Sequence, residues 1–252
     1  MQLSGATALV TGATAGIGEA TALRFARDGA RLVIAGRRGD RLDALARRAG
    51  VPCHPLVLDV QDRSAVERAL ASLPAEFAAV DVLVNSAGLA LGLEPAHRAS
   101  LDEWDQMIAT NARGLATVTR SLLPGMVERG RGHVVNVGSV AGSYPYPGGN
   151  VYGATKAFVH QFSLNLRADL VGTGVRVTSV EPGMTDTEFS LVRLKDREKA
   201  KAVYQGMTPL AAADIADAIH WAVTRPPHVN VNVVELMPEA QAFSPFAVKR
   251  RS

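Results

Sequence analysis

The stretch ATALVTGATAGIG, residues 6–18, decides the fold of this chain, because a short β-rich run leads through a glycine turn into a helical pattern. Gly12, Gly16 and Gly18 lie in that turn. Glycines at such a place let the backbone approach a pyrophosphate group, and the N-terminus of the helix adds amide donors and a favourable dipole. The spacing G-x-x-x-G-x-G differs from the G-x-G-x-x-G dinucleotide fingerprint, so a tight strand-to-helix connection is the alternative. The order of strand, glycine turn and helix favours phosphate binding.

Outward from this unit, β-rich runs alternate with segments of helical period along the whole chain. The other strand candidates are RLVIAG (31–36), CHPLVLD (53–59), VDVLVN (80–85), GHVVNVGS (132–139), RVTSVEP (176–182) and NVNVVELM (230–237). Helical segments begin near Ile17, Asp40, Ser64, Leu101, Tyr152 and Ala212. This alternation predicts one α/β domain over residues 1–252, with a doubly wound parallel sheet of about seven strands and helices on both faces. The strands are nearly continuous in Val, Ile and Leu, so we expect them to be buried on both sides.

Composition excludes several classes of protein. The chain has 252 residues, of which 47% are hydrophobic, and a single cysteine, Cys53, which predicts a reducing, cytoplasmic setting and a small buried side chain. No targeting segment and no membrane span are expected, because no run approaches the roughly 18 apolar residues that a span needs. The net charge is +3, and the arginines are dispersed except in the tail KRRS (249–252), which we expect to be solvated. Nucleic acid is therefore not an expected partner. The histidine spacing predicts no metal site.

Two arginines occupy the end of the second strand candidate, in AGRRGD at residues 35–40. A dinucleotide fold selects its cofactor there, with an acid for a ribose hydroxyl or an arginine for a 2′-phosphate. Arg37 and Arg38 stand where an NAD-specific acid is expected, and a guanidinium binds phosphate through a charged fork. The pattern favours NADP, unless both arginines only face water. Asp59, at the tip of the third strand, is expected either to accept a hydrogen bond from an adenine amino group or to cap the next helix.

Tyr152 and Lys156 stand one helical turn apart in NVYGATKAF, residues 150–158, so both side chains project from one face. A free tyrosine titrates near ~10, and a neighbouring cation lowers that pKa by stabilising the phenolate. The alternative is an ordinary surface pair. The chain contains 22 arginines and only 5 lysines, yet position 156 is a lysine, which favours a site where an ammonium fits and a wide guanidinium does not.

These motifs, together with NSAG (85–88), Asn111 and Ser139, resemble the short-chain dehydrogenase/reductase family along essentially the whole chain. The resemblance is greatest to one branch, the NADP-dependent 3-hydroxy acid dehydrogenases, also described as serine or allo-threonine dehydrogenases. The stretches that carry it are LALGLEPAH (89–97), LPGMVERG (123–130), GGNVYGATKAFVHQFSLNLR (148–167), VRVTSVEPG (175–183), TEFSLVR (187–193) and ELMP (235–238). Two departures are visible: the usual N-N-A-G reads NSAG, and the loop MTDTEF (184–189) is shorter than that branch often shows.

The resemblance implies a Rossmann-type fold and assigns a role to each motif residue. Tyr152 would exchange a proton with the substrate oxygen while a hydride passes to or from the nicotinamide. Ser139 would hold the same oxygen, and Asn111 would complete a hydrogen-bonded path through water to Lys156, unless it is only tolerated within a long helix. The implied cofactor contacts are Gly12, Thr14, Gly16, Ile17, Gly18, Arg37, Arg38, Asp59, Val60, Asn85, Gly88, Tyr152, Lys156, Pro182, Gly183, Thr185 and Thr187.

The segment 183–209 is long and charged, and it is inserted between the sixth and seventh strand candidates. Such an insertion is usually a lid or an interface, and we expect a substrate lid. Phe189 and Leu191 are apolar enough to cover a site. Arg193, which lies inside TEFSLVR, is favoured over Lys195 as the cation for a substrate carboxylate, although an interface or solvated role is the alternative.

The sequence thus predicts an NADP-dependent oxidoreductase acting on a small 3-hydroxy acid or its semialdehyde. One alternative is a general carbonyl or secondary-metabolite ketone reductase of the same family, and another is a regulator that senses NADP(H) without turnover. The resemblance also implies a homotetramer assembled through the long helices that follow Leu101 and Tyr152, whereas their apolar stripes would be ordinary core in a monomer.

Overall fold

The structure is a computed structural model, and it describes residues 1–244 and 247–250. Its strands are β1 Thr7–Thr11, β2 Arg31–Gly36, β3 Cys53–Val57, β4 Val82–Asn85, β5 Gly132–Val137, β6 Val175–Pro182, β7 Thr185–Asp186, β8 Leu210–Ala211 and β9 Val233–Leu236. Within the described residues, seven of these strands form one parallel sheet in the order β3-β2-β1-β4-β5-β6-β9. The predicted doubly wound sheet of about seven strands is confirmed.

Helices cover both faces of this sheet. They are α1 Gly16–Arg27, α2 Gly39–Ala49, α3 Arg63–Ala71, α4 Ala75–Ala78, α5 Leu101–Ile108, α6 Leu115–Glu128, α7 Asn150–Asp169, α8 Glu188–Leu194, α9 Arg197–Ala202 and α10 Ala212–Thr224. The predicted helix starts lie within two residues of observed ones. Starts at Leu115, Ala75 and inside the insertion were not predicted, because those helices are short or continue a neighbouring one.

Alternate residues of each central strand face opposite helix layers. Ala8 and Val10 of β1 pack with α1, α2 and α10, whereas Leu9 packs with α3 and α6 on the other face. The same alternation in β4 and β5 builds two apolar cores, one on each side of the central strands. The edge strands β3 and β9 are only partly buried, which differs from the burial on both sides expected for every strand. Because the strands are parallel, their carboxyl ends meet at one edge, and the loops that follow them lie together there.

One irregular turn lies between α5 and α6. Residues Ala109–Gly114 form a π-helical turn inside an otherwise continuous helix, where the sequence predicts regular helix around Asn111. Single π-turns of this kind occur frequently at functional sites. Gly114 lies where a Cβ would come within 2.8 Å of the Val60 backbone oxygen, so the turn also packs closely against the loop after β3.

The insertion 183–209 folds into β7, α8 and α9. β7 pairs in parallel with β8, which forms a small second sheet that the sequence pattern does not predict because each strand has two residues. The predicted solvated tail lies partly outside the described residues, at Arg251 and Ser252. The guanidinium of Arg250 is not free in solvent, because it donates to the backbone oxygens of Gln205 and Val203 in the insertion.

Two sequence expectations outside the site can also be compared with the structure. Cys53 is half-buried on β3 rather than fully buried, and burial raises the pKa of its thiol to about 11. In the part of the chain that the structure describes, no helix is both long enough and apolar enough to cross a membrane.

Candidate active site

A cavity of about 440 Å³ opens at the carboxyl ends of the central strands, between the glycine turn and the insertion. Most of the residues predicted from the sequence lie along its wall. Those that line it are Gly12, Thr14, Gly16, Ile17, Arg37, Arg38, Asp59, Val60, Gly88, Ser139, Tyr152, Lys156, Pro182, Gly183, Thr185, Thr187 and Arg193. The fold therefore brings together residues from the glycine turn, the strand ends, α7 and the insertion.

The glycine turn has the geometry of a phosphate cradle. Gly12 and Gly16 have φ angles of 66° and 56°, in the left-handed region that glycine adopts without strain. Among the described residues no side chain caps the first turn of α1, so the amide donors at its N-terminus face the cavity edge without a side-chain acceptor. A helix N-terminus with free amides is a ready site for a pyrophosphate.

Three of the predicted catalytic and cofactor-contact residues do not line the cavity. Gly18 packs inside the turn, where a Cβ would lie 2.5 Å from the Gly12 backbone oxygen. The side chain of Asn85 is buried and donates at 2.9 Å to both Thr119 Oγ1 and Asn136 Oδ1. Gly18 and Asn85 thus hold the turn and the strand end in place, and the cofactor contacts expected for them stay a prediction. The third of these residues is Asn111.

Asn111 lies in the π-helical turn and fixes the loop after β4. Its Nδ2 donates to Leu89 O at 2.8 Å and to Thr155 Oγ1 at 3.1 Å, and its Oδ1 accepts from Leu89 N at 2.9 Å. A Cβ at Gly88 would lie 3.4 Å from Asn111 Oδ1 and 3.5 Å from Lys156 Nζ. Asn111 and Lys156 therefore border the same small space, which a glycine leaves open.

Tyr152, Ser139 and Lys156 meet at the closed end of the cavity. Ser139 and Tyr152 both line this end, and Ser139 Oγ donates to Pro182 O at 3.4 Å and accepts from Ala141 N at 3.1 Å. Lys156 Nζ donates to Val137 O at 2.9 Å and lies 5.8 Å from the centroid of the Tyr152 ring. α7 places both side chains on the face that packs against β5 and β6, because they are one turn apart.

The two titratable groups of this cluster are shifted by burial. Burial raises the pKa of Tyr152 well above its ordinary value, with Tyr146 adding to the rise and the nearby Ser139 hydroxyl and Arg193 charge opposing it. The direction is opposite to the lowering expected from Lys156, because desolvation outweighs the charges around the phenol. Burial also lowers the pKa of Lys156 to about 8, against the opposing effect of the Glu181 carboxylate.

The arginines at the end of β2 have different surroundings. Arg37 is exposed at the cavity rim. Arg38 donates from Nε to Thr14 Oγ1 at 3.1 Å and forms an ion pair with Glu188 of α8 at 3.0 Å, and Arg41 pairs with the same carboxylate at 2.7 Å. Asp59 Oδ1 accepts a hydrogen bond from Gln61 N, two residues later in the same turn. The N-cap of the next helix, α3, is Asp62 rather than Asp59.

Arg193 reaches from α8 into the cavity beside Tyr152. Its guanidinium carbon lies 5.4 Å from the centroid of the Tyr152 ring, and its nitrogens donate to Gly92 O, Tyr146 Oη and Gly148 O. These acceptors are neutral, and within the described ranges Arg193 forms no ion pair. Lys195, the less favoured candidate, pairs with Glu103 at 3.0 Å.

The insertion covers the tyrosine with an aromatic side chain. The ring of Phe189 lies 5.5 Å from that of Tyr152, between centroids. Val192 rather than the predicted Leu191 lines the cavity. Gln241, which the sequence does not single out, also lines it, and its Oε1 accepts from Met184 N at 2.8 Å. No local motif marks Gln241, since its partner is 57 residues away.

The described residues contain no group of three or more His, Cys, Asp or Glu side chains that could hold a metal ion. A phenol, a hydroxyl and two cations, from Tyr152, Ser139, Lys156 and Arg193, line one pocket.

Known proteins share this arrangement of elements. A sequence model of the family described as short chain dehydrogenase matches residues 6–198. The chain is 57% identical over 244 residues to an NADP-dependent 3-hydroxy acid dehydrogenase of Salmonella typhi, a match that covers 96% of this chain and 98% of the relative. It is 51% identical over 247 residues to a serine 3-dehydrogenase of Rhizobium radiobacter, with 98% and 99% covered.

Solved structures agree with the sequence matches. The closed form of a serine dehydrogenase complexed with NADP+ superposes with a TM-score of 0.93 at 54% identity, covering 97% of this chain and 100% of that chain. A serine dehydrogenase from Escherichia coli gives a TM-score of 0.82 at 51% identity, covering 94% and 99%. The resemblance inferred from the motifs is confirmed, and this chain belongs to the short chain dehydrogenase family.

Proposed function

We propose that this chain is an NADP-dependent oxidoreductase that transfers a hydride between NADP(H) and a small 3-hydroxy acid, of the serine, allo-threonine or 3-hydroxypropionate type, or the corresponding semialdehyde. The observation that carries the proposal is a juxtaposition at one buried end of the cavity. There the hydroxyls of Tyr152 and Ser139 lie beside the ammonium of Lys156 and the guanidinium of Arg193. The activities named for the relatives from Salmonella typhi and Rhizobium radiobacter support the same reaction.

The residues along the cavity fit NADP. The uncapped N-terminus of α1 and the left-handed Gly12 suit the pyrophosphate, and Arg37 and Arg38 suit the 2′-phosphate. When bound, NADP supplies or accepts the hydride at its nicotinamide ring. Lys156 would grip the ribose hydroxyls, and the loop from Pro182 to Thr187 would form the wall opposite the glycine turn.

Tyr152 is the proposed acid and base. Because burial raises its pKa, the phenol is protonated at neutral pH and is ready to donate to a carbonyl oxygen in the reducing direction. Lys156, with a pKa of about 8, carries a positive charge at pH 7 and stabilises the phenolate once the proton has left. Ser139 would hold the reacting oxygen, and Asn111 would complete a path through water to Lys156.

Arg193 is the proposed partner of the substrate carboxylate. Its guanidinium lies beside Tyr152, and among the described residues this charge has no carboxylate partner. A desolvated carboxylate needs an opposite charge, and a guanidinium can bind it through two hydrogen bonds. Segment 183–209, which carries Arg193 and Phe189, would then act as the substrate lid.

Replacing Arg193 by methionine tests this assignment. We expect kcat/KM for 3-hydroxypropionate to fall by about 10- to 100-fold, the worth of one charge-assisted hydrogen-bond pair, while kcat/KM for 3-hydroxypropanamide changes little. The amide is the matched control because it has the size of the acid without its charge. An equal loss on both substrates would place the carboxylate site elsewhere and would favour a general ketone reductase.

We also infer a cytoplasmic homotetramer whose partner is a small molecule rather than nucleic acid or a membrane. A single cysteine supports the location. Exposed apolar side chains on α5 and α7, at Ile108 and Phe158, support assembly through these helices.

A further inference from the structure

Glu181 is a buried carboxylate beside the site to which the proposed reaction gives no role. It is the penultimate residue of β6 and only 2% of its surface is exposed. Its Oε1 is 2.7 Å from His160 Nδ1 and accepts from Ser179 Oγ at 2.8 Å. A buried charge is costly unless it is paired and hydrogen-bonded, so its presence here calls for a specific reason.

Glu181 contacts the backbone that leads to Ser139. A Cβ at Gly138 would lie 3.0 Å from Glu181 Cγ, which shows that the carboxylate stem packs directly against this glycine. Gly138 N also donates to Val180 O at 2.7 Å, which joins the end of β5 to β6 immediately before Ser139. The position of Ser139 therefore depends on the residue at 181.

Glu181 is also linked to the helix that carries the catalytic pair. Its partner His160 lies one turn after Lys156 on α7, as Lys156 lies one turn after Tyr152. Lys156 is buried, and within the described residues it has no carboxylate within 4.0 Å; its ammonium donates only to the Val137 carbonyl. The negative charge of the Glu181 carboxylate raises the pKa of Lys156 and so opposes the effect of burial.

We propose that Glu181 is a positioning residue, whose carboxylate, held by His160, stabilises the ammonium of Lys156 and fixes the turn that carries Ser139. This role rests on the proposed function, because it acts through the residues assigned to proton transfer. The proposal adds the Glu181 carboxylate and the His160 imidazole to the site, and neither residue is singled out by the motifs in the sequence.

The other charged and titratable groups near Glu181 lie on three elements. His160 and Lys156 face it from α7, and Glu235 is its register partner on β9. Tyr144, from the turn after β5, donates to Glu235 Oε1 at 3.4 Å. Burial raises the pKa of this phenol, and the carboxylates of Glu235 and Glu181 add to the rise. Glu235 is therefore a matched control, because it is a neighbouring carboxylate on the adjacent strand, paired in register with Glu181.

The test measures the ionisation of Lys156 directly and needs no turnover. The chain has only 5 lysines, so protein labelled with 13C at the lysine ε carbon gives few signals, and the signal lost in Lys156→Arg identifies Lys156. In Glu181→Gln, which keeps the shape and removes the charge, we expect the titration midpoint of Lys156 to fall by about one pH unit. In Glu235→Gln we expect it to stay where it is in the unaltered protein.

A second variant covers the case in which Glu181→Gln does not fold. His160→Gln alters a partly exposed side chain and loosens the carboxylate without removing it, so the midpoint should fall in the same direction by a smaller amount. Reduction of the semialdehyde, followed over pH, should then lose its alkaline limb at a lower pH in both variants. An unchanged Lys156 midpoint in a folded variant overturns the proposal. Absence of turnover in the unaltered chain with a shifted midpoint would instead refute the proposed function alone.

Discussion

At the scale of single residues, the site depends on what burial does to a phenol and an ammonium. Tyr152 and Lys156 are both buried, and loss of solvent favours the neutral form of each group. It therefore raises the pKa of Tyr152 and lowers that of Lys156. The neutral phenol is the proton donor that carbonyl reduction requires. Lys156 keeps its charge at pH 7 because its pKa of about 8 is still above that pH.

Replacing Tyr152 by phenylalanine removes the transferable proton and leaves the shape of the ring. We expect kcat to fall by about 10²- to 10⁴-fold, the range that positioned proton transfer supplies, while the dissociation constant for NADP+ is nearly unchanged. Steady-state kinetics and cofactor titration by fluorescence measure the two quantities. Retention of more than about a tenth of the original kcat would be incompatible with an acid and base at this position.

Single residues also show where sequence reasoning succeeds and where it stops. Tyr152, Lys156 and Ser139 lie in short motifs, so the sequence indicates them and the structure brings them together. The pKa direction of Tyr152 could not be read from the sequence, because a neighbouring cation is visible in a motif whereas the extent of burial is not. Glu181 belongs to an ordinary strand pattern, and only the fold shows that its side-chain stem packs against Gly138.

At the scale of elements, helix α8, which is part of the proposed lid, connects the two ends of the cavity. Glu188, in its first turn, pairs with Arg38 and Arg41 near the glycine turn, and Arg193, in its last turn, lies beside Tyr152. Arg38 and Glu188 are 150 residues apart in sequence, so no local pattern could have predicted their contact. The sequence does show that an insertion exists and that it is long.

Replacing Glu188 by glutamine should loosen this end of the lid. We expect backbone amides of residues 188–194 to exchange with solvent several-fold faster, because two ion pairs that hold α8 to the glycine turn are lost. The effect should be modest, since exposed pairs contribute little. Hydrogen exchange read by mass spectrometry checks it, with Glu198→Gln as the control, because Glu198 pairs only with Lys201 among the described residues. Equal exchange in both variants would show that the pairs with Arg38 and Arg41 do not hold the lid.

At the scale of the whole molecule, the family fold leaves apolar side chains on the outside of two helices. Phe158 is 42% exposed and stacks on Phe162 of the same helix at 5.6 Å, and Ile108 of α5 is 45% exposed. Exposed apolar groups that cluster on helices support an interface between copies of the chain.

We expect Phe158→Arg to break the proposed tetramer into smaller species, because a charge would be buried without a partner in the proposed interface. Light scattering coupled to size-exclusion chromatography gives the mass of each species. Val57→Arg is the control, since Val57 is also exposed but lies on the edge strand β3, far in sequence from these helices. Elution of the unaltered chain as a monomer would contradict the proposed tetramer.

The most direct test of the central claim is a comparison of substrates and cofactors with the unaltered protein. Reduction of NADP+ and of NAD+ is followed at ~340 nm with 3-hydroxypropionate, serine and the uncharged 3-hydroxypropanamide, and kcat/KM is obtained for each pair. We predict that NADP+ is strongly preferred, because of Arg37 and Arg38, and that the acid exceeds the amide by about 10- to 100-fold, because of Arg193. Equal efficiency for acid and amide would indicate a general ketone reductase, and binding of NADP+ with no turnover of any substrate would contradict the assignment as an enzyme.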